Sequence, residues 1–573
     1  MWETILIGLK LVRTMIWFNI WNWMVGFWPG FQRPVVEVRQ GRVRGITSVL
    51  PNGGSYHFFK GIPYAKPPTG RLRFQSPVPL QRFNQPVLNC SVEKAGFIRP
   101  CMFSSWFTEG SEDGLFLNVY TPGLPVNDLV KYPVMVFVHG GGFRTGTASE
   151  YFYDPKYLVQ RGVVVVIMSY RLGPLGFLSM PSVGISGNAG LKDQRLALEW
   201  VQENIHKFGG DAQNVTFFGQ SAGSMSVYLH YLSPKSRQYF QRAICMSGVM
   251  CTESDFQVEP EEKARKLARL LGYRGTSDND ILETLLKASA RSLIRLQNHV
   301  ASQQEEGDPL QFLFRPVIEQ DVFKDAIITQ SPERILKSFD TLRLPIMLGT
   351  VCSEGVLAFV ENKNNLSKYN KHVSWLVPRF MEIWDETERK TIGDQIKQFY
   401  LGNQDIGSDT TNETCNLMTD LTFSVMSNLS SELIAKYQPN VKQYCYLFSF
   451  IGRCNITKTV LNVKNVDGAA HTDDIFNLFG TKVLPHVLPD SDEYKMREIL
   501  ATMLTNFAKF DDPTPNEALL GFKWTPNAPV HRDSEPFDMD CAELCLPPRM
   551  IRNPNQGRKE FWRNLLRKHT GLM

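Results

Sequence analysis

The 573-residue sequence predicts an α/β protein built on a large, mostly parallel central sheet flanked by helices. Three observations predict it. The runs PVMVFVHGGGF (133–143) and GVVVVIMSY (162–170) are apolar and β-branched with no polar face, as strands covered on both sides must be. The segment LKDQRLALEWVQENIHKFG (191–209) carries apolar residues at helical spacing and stops at glycine. The segment NVTFFGQSAGSMSVYLHYL (214–232) begins as a strand and continues as a helix. Strands that alternate with helices build parallel sheets with helices on both faces.

The remaining elements follow in order. VEVRQGRVRG (36–45) alternates like a strand pair. The stretches 259–304 and 375–436, the first rich in Lys, Arg, Leu and Ala, read as helices. They are expected as helical insertions over the C-terminal edge of the sheet, above the active site. No Pro/Gly/Ser linker marks a boundary, so residues 32–573 are expected to form a single domain behind a distinct segment, residues 1–31.

Composition narrows the function classes. Hydrophobic residues are 43% and charged residues 21%, which supplies a large core and excludes a disordered chain. A net charge of +5 over this length lacks the electrostatic footprint of a nucleic-acid binder. Ten cysteines, with no C-x-x-C pair and no Cys/His zinc spacing, fit neither a disulfide scaffold nor a zinc module. The sequons at Asn89, Asn214, Asn365, Asn412, Asn428 and Asn455 matter only in the secretory lumen.

Residues 1–31 carry five tryptophans, Trp2, Trp17, Trp21, Trp23 and Trp28. On a helix, Glu3, Lys10, Arg13 and Thr14 fall on one side and Ile, Leu, Val, Met and Phe on the other. That pattern predicts an amphipathic helix lying in a membrane–water interface, where Trp is favoured. A cleaved signal fits poorly, because Lys10 and Arg13 interrupt the apolar run and no A-x-A-like site follows. A span over 14–31 would hold Asn19, Asn22, Gly26 and Pro29.

The chemistry centres on Gly219-Gln220-Ser221-Ala222-Gly223, a G-x-S-x-G motif between a strand and a helix. That context is the nucleophile elbow of the α/β-hydrolase fold, a sharp turn that exposes the serine oxygen. His139-Gly140-Gly141-Gly142-Phe143 ends another buried strand. A glycine run there can aim N–H groups at a developing oxyanion, and Gly141, Gly142 and Ala222 are the candidate donors. In this fold the base follows the acid in the chain. His471 lies in GAAHTDD (468–474), a glycine-containing loop after the apolar run YCYLFSF; His372, His486, His531 and His569 have no such loop. Glu354, at the end of LPIMLGTVCSEG (344–355), is the candidate acid, whereas Asp340 stands at the wrong end of that strand.

These residues resemble the type-B carboxylesterase/cholinesterase family, and most of all the insect α-esterases. FKGIPYAKPPTGRLRF (59–74), SEDGLFLNVYTP (111–122) and GNAGLKDQRLALEWVQENIHKFGGD (187–211) carry the resemblance from about Val35 to the C-terminal tail. It implies an α/β-hydrolase fold and a triad of Ser221, Glu354 and His471. It also implies an oxyanion hole of Gly141, Gly142 and Ala222, with Ser247 and Gln220 supporting the site. Two departures stand out. Glu112-Asp113-Gly114 lacks the family's disulfide cysteine, so Cys90 needs Cys101 or stays free. Gln220 replaces the common glutamate before the serine, which makes the site less negative and disfavours a choline ester; juvenile hormone esterases share the G-Q-S-A-G form.

The expected activity is hydrolysis of small-molecule carboxylic esters through an acyl-enzyme, with no metal or organic cofactor, in a broad-specificity or detoxifying role. Organophosphate binding is implied by the resemblance, and contact with a membrane surface by residues 1–31. The expected location is intracellular, membrane-associated or cytoplasmic, rather than secreted. A lipid-ester or juvenile-hormone-type esterase is the rival within the class. A catalytically silent, cholinesterase-like binding protein is the rival outside it.

Overall fold

The computed structural model describes residues 30–101, 104–125, 131–338, 342–482, 487–516, 520–530 and 537–570, with positions 13, 14, 16, 17, 20, 24 and 484 besides. Eleven strands form one sheet: β1 (Ile46–Val49), β2 (Ser55–Pro63), β3 (Phe116–Thr121), β4 (Tyr132–Val138), β5 (Val164–Met168), β6 (Gly210–Gln220), β7 (Arg242–Met246), β8 (Ile346–Val351), β9 (Gln443–Phe448), β10 (Asp540–Leu544) and β11 (Arg549–Arg552). They lie in the order β11-β10-β9-β8-β7-β6-β4-β5-β3-β2-β1. Every neighbouring pair from β5 to β10 is parallel. The two edges are antiparallel. The sheet is mostly parallel, as expected, with a parallel centre and antiparallel edges. The strand pair read at 36–45 is the hairpin Val35–Val38 and Gly41–Arg44, which joins Val87–Asn89 in a separate small sheet.

The apolar runs explain the layering. Val134, Val136 and Val138 of β4 enter one hydrophobic core, while Met135 and Phe137 enter the other. In β5 the same division holds, with Val164, Val166 and Met168 against Val165 and Ile167. Both faces of each strand are thus buried, so no polar alternation is tolerated. Helix α1 (Ala189–Asn204) and helix α2 (Ala222–Leu232) contribute to the first core. Helix α10 (Asp492–Phe510) contributes Leu500, Leu504 and Phe507 to the second.

The two segments read as helical contain α3 (Pro260–Leu270), α4 (Asp278–Lys287), α5 (Ala290–Leu296), α6 (Glu386–Leu401), α7 (Thr411–Thr419) and α8 (Val425–Tyr437). Between α7 and α8 the backbone widens into a π-helical turn, Asp420–Ser424. Two further helices matter below, the short α9 (Asp473–Leu478) and the C-terminal α11 (Gln556–His569).

The amphipathic helix expected over 1–31 falls largely outside the described residues. Positions 13, 14, 16, 17, 20 and 24 are helical, Gly30 and Phe31 are not, and Ile16, Trp17 and Ile20 are exposed. Among the described residues no helix is long and apolar enough to cross a membrane. Cys90 is a buried thiol without a disulfide.

Candidate active site

Strand order positions the site. The chain runs outward from β4 to β5 on one side and from β6 to β7 and beyond on the other, so the order reverses between β4 and β6. Ligands of open α/β sheets bind beyond the strand C-termini at such a switch point. Here the end of β4 carries His139 to Gly142 and the end of β6 carries Ser221.

Ser221 has φ 58° and ψ −126°, a backbone conformation that L-residues rarely adopt. It is held from both ends: its N–H donates to Met246 O at 2.8 Å, and its carbonyl accepts from Met225 N at 2.9 Å. The elbow fits because its flanking residues have no side chain. A methyl group on Gly223 would stand 2.1 Å from Val138 O, and one on Gly219 would stand 2.5 Å from Gly223 O. Ser221 is nearly buried, at 4% exposure.

The glycine loop lies against the elbow. A methyl on Gly140 would come within 2.8 Å of Ser221 Cβ and 2.6 Å of Gln220 O. Gly141 and Gly142 take positive φ, 115° and 59°. No acceptor among the described residues takes either of their N–H groups outside regular elements. The ring of Phe312 packs over Gly142. His139 is buried and stacks on Tyr170, with ring centroids 4.6 Å apart, and its Nδ1 lies 2.9 Å from Gly140 O. Burial pushes the His139 imidazole down to about 4, so it is neutral here. A neutral Nδ1–H then donates to Gly140 O and fixes the peptide whose other end is the Gly141 N–H.

Glu354 follows β8 in a tight turn and is fully buried. Its Oε1 accepts from Val351 N at 3.0 Å and its Oε2 lies 2.5 Å from His471 Nδ1. The turn closes on α7: a methyl on Gly355 would meet Cys415 O at 2.2 Å. His471 stands just before α9. Its loop is pinned by Asp473, whose carboxylate accepts from Ala470 N at 2.7 Å and Asn455 Nδ2 at 3.2 Å.

The structure brings Gln220, Ser221, Glu354 and His471 together with Gly141, Gly142 and Ala222, but it joins them unevenly. His471 Nε2 faces Gln220 Nε2 at 3.2 Å. No hydrogen bond links it to Ser221 Oγ among the described residues; such contacts often tighten only when substrate binds. Ser247 lies buried just beyond β7 with φ 58°, and its Oγ has no hydrogen-bond partner among the described residues. It makes no hydrogen bond to Glu354.

Three further groups at the site escaped sequence reading. Phe423, from the π-helical turn, packs on the His471 ring with centroids 4.8 Å apart. Asp474 is fully buried and accepts from the Tyr446 hydroxyl at 3.2 Å. Burial, and then the nearby Glu354 charge, push its carboxyl up to about 7. Beside the elbow an open cavity is walled by Phe143, Met225, Phe312 and Leu421, among others. Nothing in the local sequence around Phe423 or Asp474 marks them, although GAAHTDD does place Asp474 near His471. Among the described residues no His/Cys/Asp/Glu group could hold a metal ion.

The switch-point elbow and the glycine loop on the neighbouring strand place the molecule among the α/β-hydrolases. Comparison of sequences narrows the class. The profile of the carboxylesterase family matches residues 32–562, and the chain belongs to that family and is a carboxylic ester hydrolase. It is 32% identical to the juvenile hormone esterase of Tribolium castaneum over 510 residues, which span 85% of each chain. It is 31% identical to esterase B1 of Culex pipiens over 505 residues, 86% of this chain and 91% of that protein. The crystal structure of juvenile hormone esterase from Manduca sexta, with OTFP covalently attached, superposes with a TM-score of 0.80 at 26% identity. That match covers 93% of this chain and 99% of that one.

Proposed function

We propose that the chain hydrolyses carboxylic esters with Ser221 as nucleophile, His471 as general base and then acid, and Glu354 as the carboxylate that orients the imidazole. The observation that carries this reading is the 2.5 Å contact of His471 Nδ1 with buried Glu354, set directly against the elbow. With Nδ1–H given to Glu354, Nε2 is the basic atom. It takes the Ser221 proton as the oxygen attacks the ester carbonyl. The N–H groups of Gly141, Gly142 and Ala222 receive the oxyanion. His471 returns the proton to the leaving alcohol, then activates the water that cleaves the acyl-enzyme.

Phe143, Met225, Phe312 and Leu421 in the cavity wall support esters with substantial hydrocarbon parts, whether in a broad, detoxifying role or in hormone-type hydrolysis. The relatives include both a juvenile hormone esterase and esterase B1. A nucleophile of this kind also attacks phosphorus, which supports organophosphate binding. The Trp-rich residues 1–31 support attachment to a membrane surface, to be checked by vesicle co-sedimentation of the full chain against a chain lacking them. Turnover of a short-chain 4-nitrophenyl ester tests the mechanism. Ser221→Ala and His471→Ala should each lower kcat by at least about 10³-fold. Unchanged turnover in either variant removes the proposed machinery. Juvenile hormone against simple alkyl esters then ranks the two substrate classes.

A further inference from the structure

The cavity beside the elbow is not wholly apolar. Asp255, Asp308, Arg315 and Arg379 also line it. With Lys263 and Glu305 behind them they make a group of three cations and three carboxylates. Most of these charges are matched locally. Arg379 holds Asp308, with Nη2 to Oδ2 at 3.0 Å. Lys263 holds Glu305 at 2.6 Å. Asp255 accepts from Cys251 N at 2.7 Å and Thr252 N at 2.8 Å.

Arg315 differs. It is 8% exposed, yet its guanidinium donates no hydrogen bond and makes no ion pair among the described residues, and its Nε and Nη2 are fully buried. Two other buried arginines, Arg73 and Arg171, are satisfied along that same edge. Nε and Nη2 of Arg73 hold both oxygens of Glu112 at 2.9 and 2.8 Å. Those of Arg171 hold Asp193 at 2.7 Å each. A buried guanidinium without an acceptor is costly and rarely retained without one.

Its place is fixed relative to the chemistry. The backbone around Arg315 is anchored to Gln257, whose N–H donates to Pro316 O at 2.9 Å. Phe312, three residues earlier, is the ring packed on Gly142. Three residues of chain span at most about 11 Å.

We infer that Arg315 is a specificity-determining residue and that the cavity receives esters whose hydrocarbon chain ends in a carboxylate, held by its guanidinium. The inference rests on the assignment of Ser221 as the esterase nucleophile. Nη1, the guanidinium nitrogen that is not sealed off, is the donor open to the cavity, and a guanidinium matches a carboxylate in charge. An apolar chain of several carbons would lie against Phe143, Met225 and Phe312 between the two ends.

The test uses the full chain and two series of 4-nitrophenyl esters of equal length, from four to ten carbons. One series ends in methyl and the other, the monoesters of dicarboxylic acids, ends in carboxylate. The readout is the ratio of kcat/KM, carboxylate over methyl, which cancels any loss of folding common to both. In the wild type this ratio should peak at one chain length. Arg315→Met should lower the peak about tenfold or more, chiefly through KM, and Arg315→Lys should keep part of it. A second measurement needs no variant: alkanoates of the preferred length should inhibit wild-type turnover of the methyl series better than the matching primary amides. If methyl-terminated esters turn over and the ratio is flat with length and equal in wild type and Arg315→Met, the inference falls while the esterase reading stands. Equal inhibition by acids and amides also overturns it. Absence of turnover with both series brings down the esterase reading, and this inference with it.

Discussion

The amide nitrogen of Gln220 stands 3.2 Å from His471 Nε2, the ring atom that a general base must offer to Ser221. With Nδ1–H directed at Glu354, Nε2 has a lone pair for the amide to donate into. A neutral amide therefore occupies the position where a carboxylate would add negative charge to the site. Gln220→Glu should shift selectivity towards a cationic alcohol group. A unit charge some 6 Å away in a partly solvated site contributes on the order of 1 kcal/mol, or about fivefold. Paired kcat/KM values for acetylthiocholine and its uncharged carbon analogue measure it, and a ratio unchanged by the substitution contradicts it.

In the proposed mechanism Glu354 acts through His471, not on substrate. Glu354→Gln keeps the shape of the turn but removes the charge that orients and stabilises the imidazolium. It should lower kcat by roughly 10³–10⁴-fold and leave KM within a few-fold. Circular dichroism and thermal midpoint show whether the fold survives. Loss of less than about tenfold would mean that another group orients His471.

The approach of the glycine loop to the elbow leaves no room for a side chain. Gly140→Ala would put a methyl 2.8 Å from Ser221 Cβ and 2.6 Å from Gln220 O, so the loop or the elbow must shift. Displaced oxyanion donors should cost about 10²–10³ in kcat. By contrast, a methyl at Gly162 or Gly184 meets nothing within 4 Å, so alanine there should strain only the local backbone. Steady-state kinetics on the three variants separate the two effects.

Asp474 sets a pH dependence of stability. Its folded carboxyl is raised from 3.8 to about 7, first by burial and then by the charge of Glu354. A carboxyl raised on folding contributes stability that is fully present below its unfolded value and is lost as pH climbs through its folded value. From pH 4 to 8 the wild type should therefore lose stability relative to Asp474→Asn, on the order of a few kcal/mol. Thermal midpoints of both proteins across that range provide the check, and parallel curves would refute the assignment.

Much of the site was legible because local patterns carry it. A strand-turn-helix transition around Ser221 needs only Gly219, Gly223 and the apolar run before them. The loop from His139 to Gly142 is marked by three consecutive glycines. Glu354 and His471 lie 117 residues apart, and only the parallel pairing of β8 with β9 brings their loops together. Periodicity does not encode that pairing; a strand end and a glycine-containing loop single out each residue, and the resemblance to a known family joins them as a triad. Phe423 depends on a π-helical widening within a segment that reads as ordinary helix. Gly349 leaves the space that the Tyr446 ring fills on the way to Asp474, a contact between neighbouring strands with no signature in either alone. Arg315 reads as one more charged residue until the partners of its neighbours are accounted for.

The most direct measurement is covalent. The full chain is treated with a fluorophosphonate, digested, and the adduct located by mass spectrometry while residual esterase activity is followed. A single adduct on the peptide bearing Ser221, formed in step with loss of activity and absent from both Ser221→Ala and heat-unfolded protein, is the predicted result. Stoichiometric labelling at another residue, or full ester turnover after Ser221 is modified, would contradict the account.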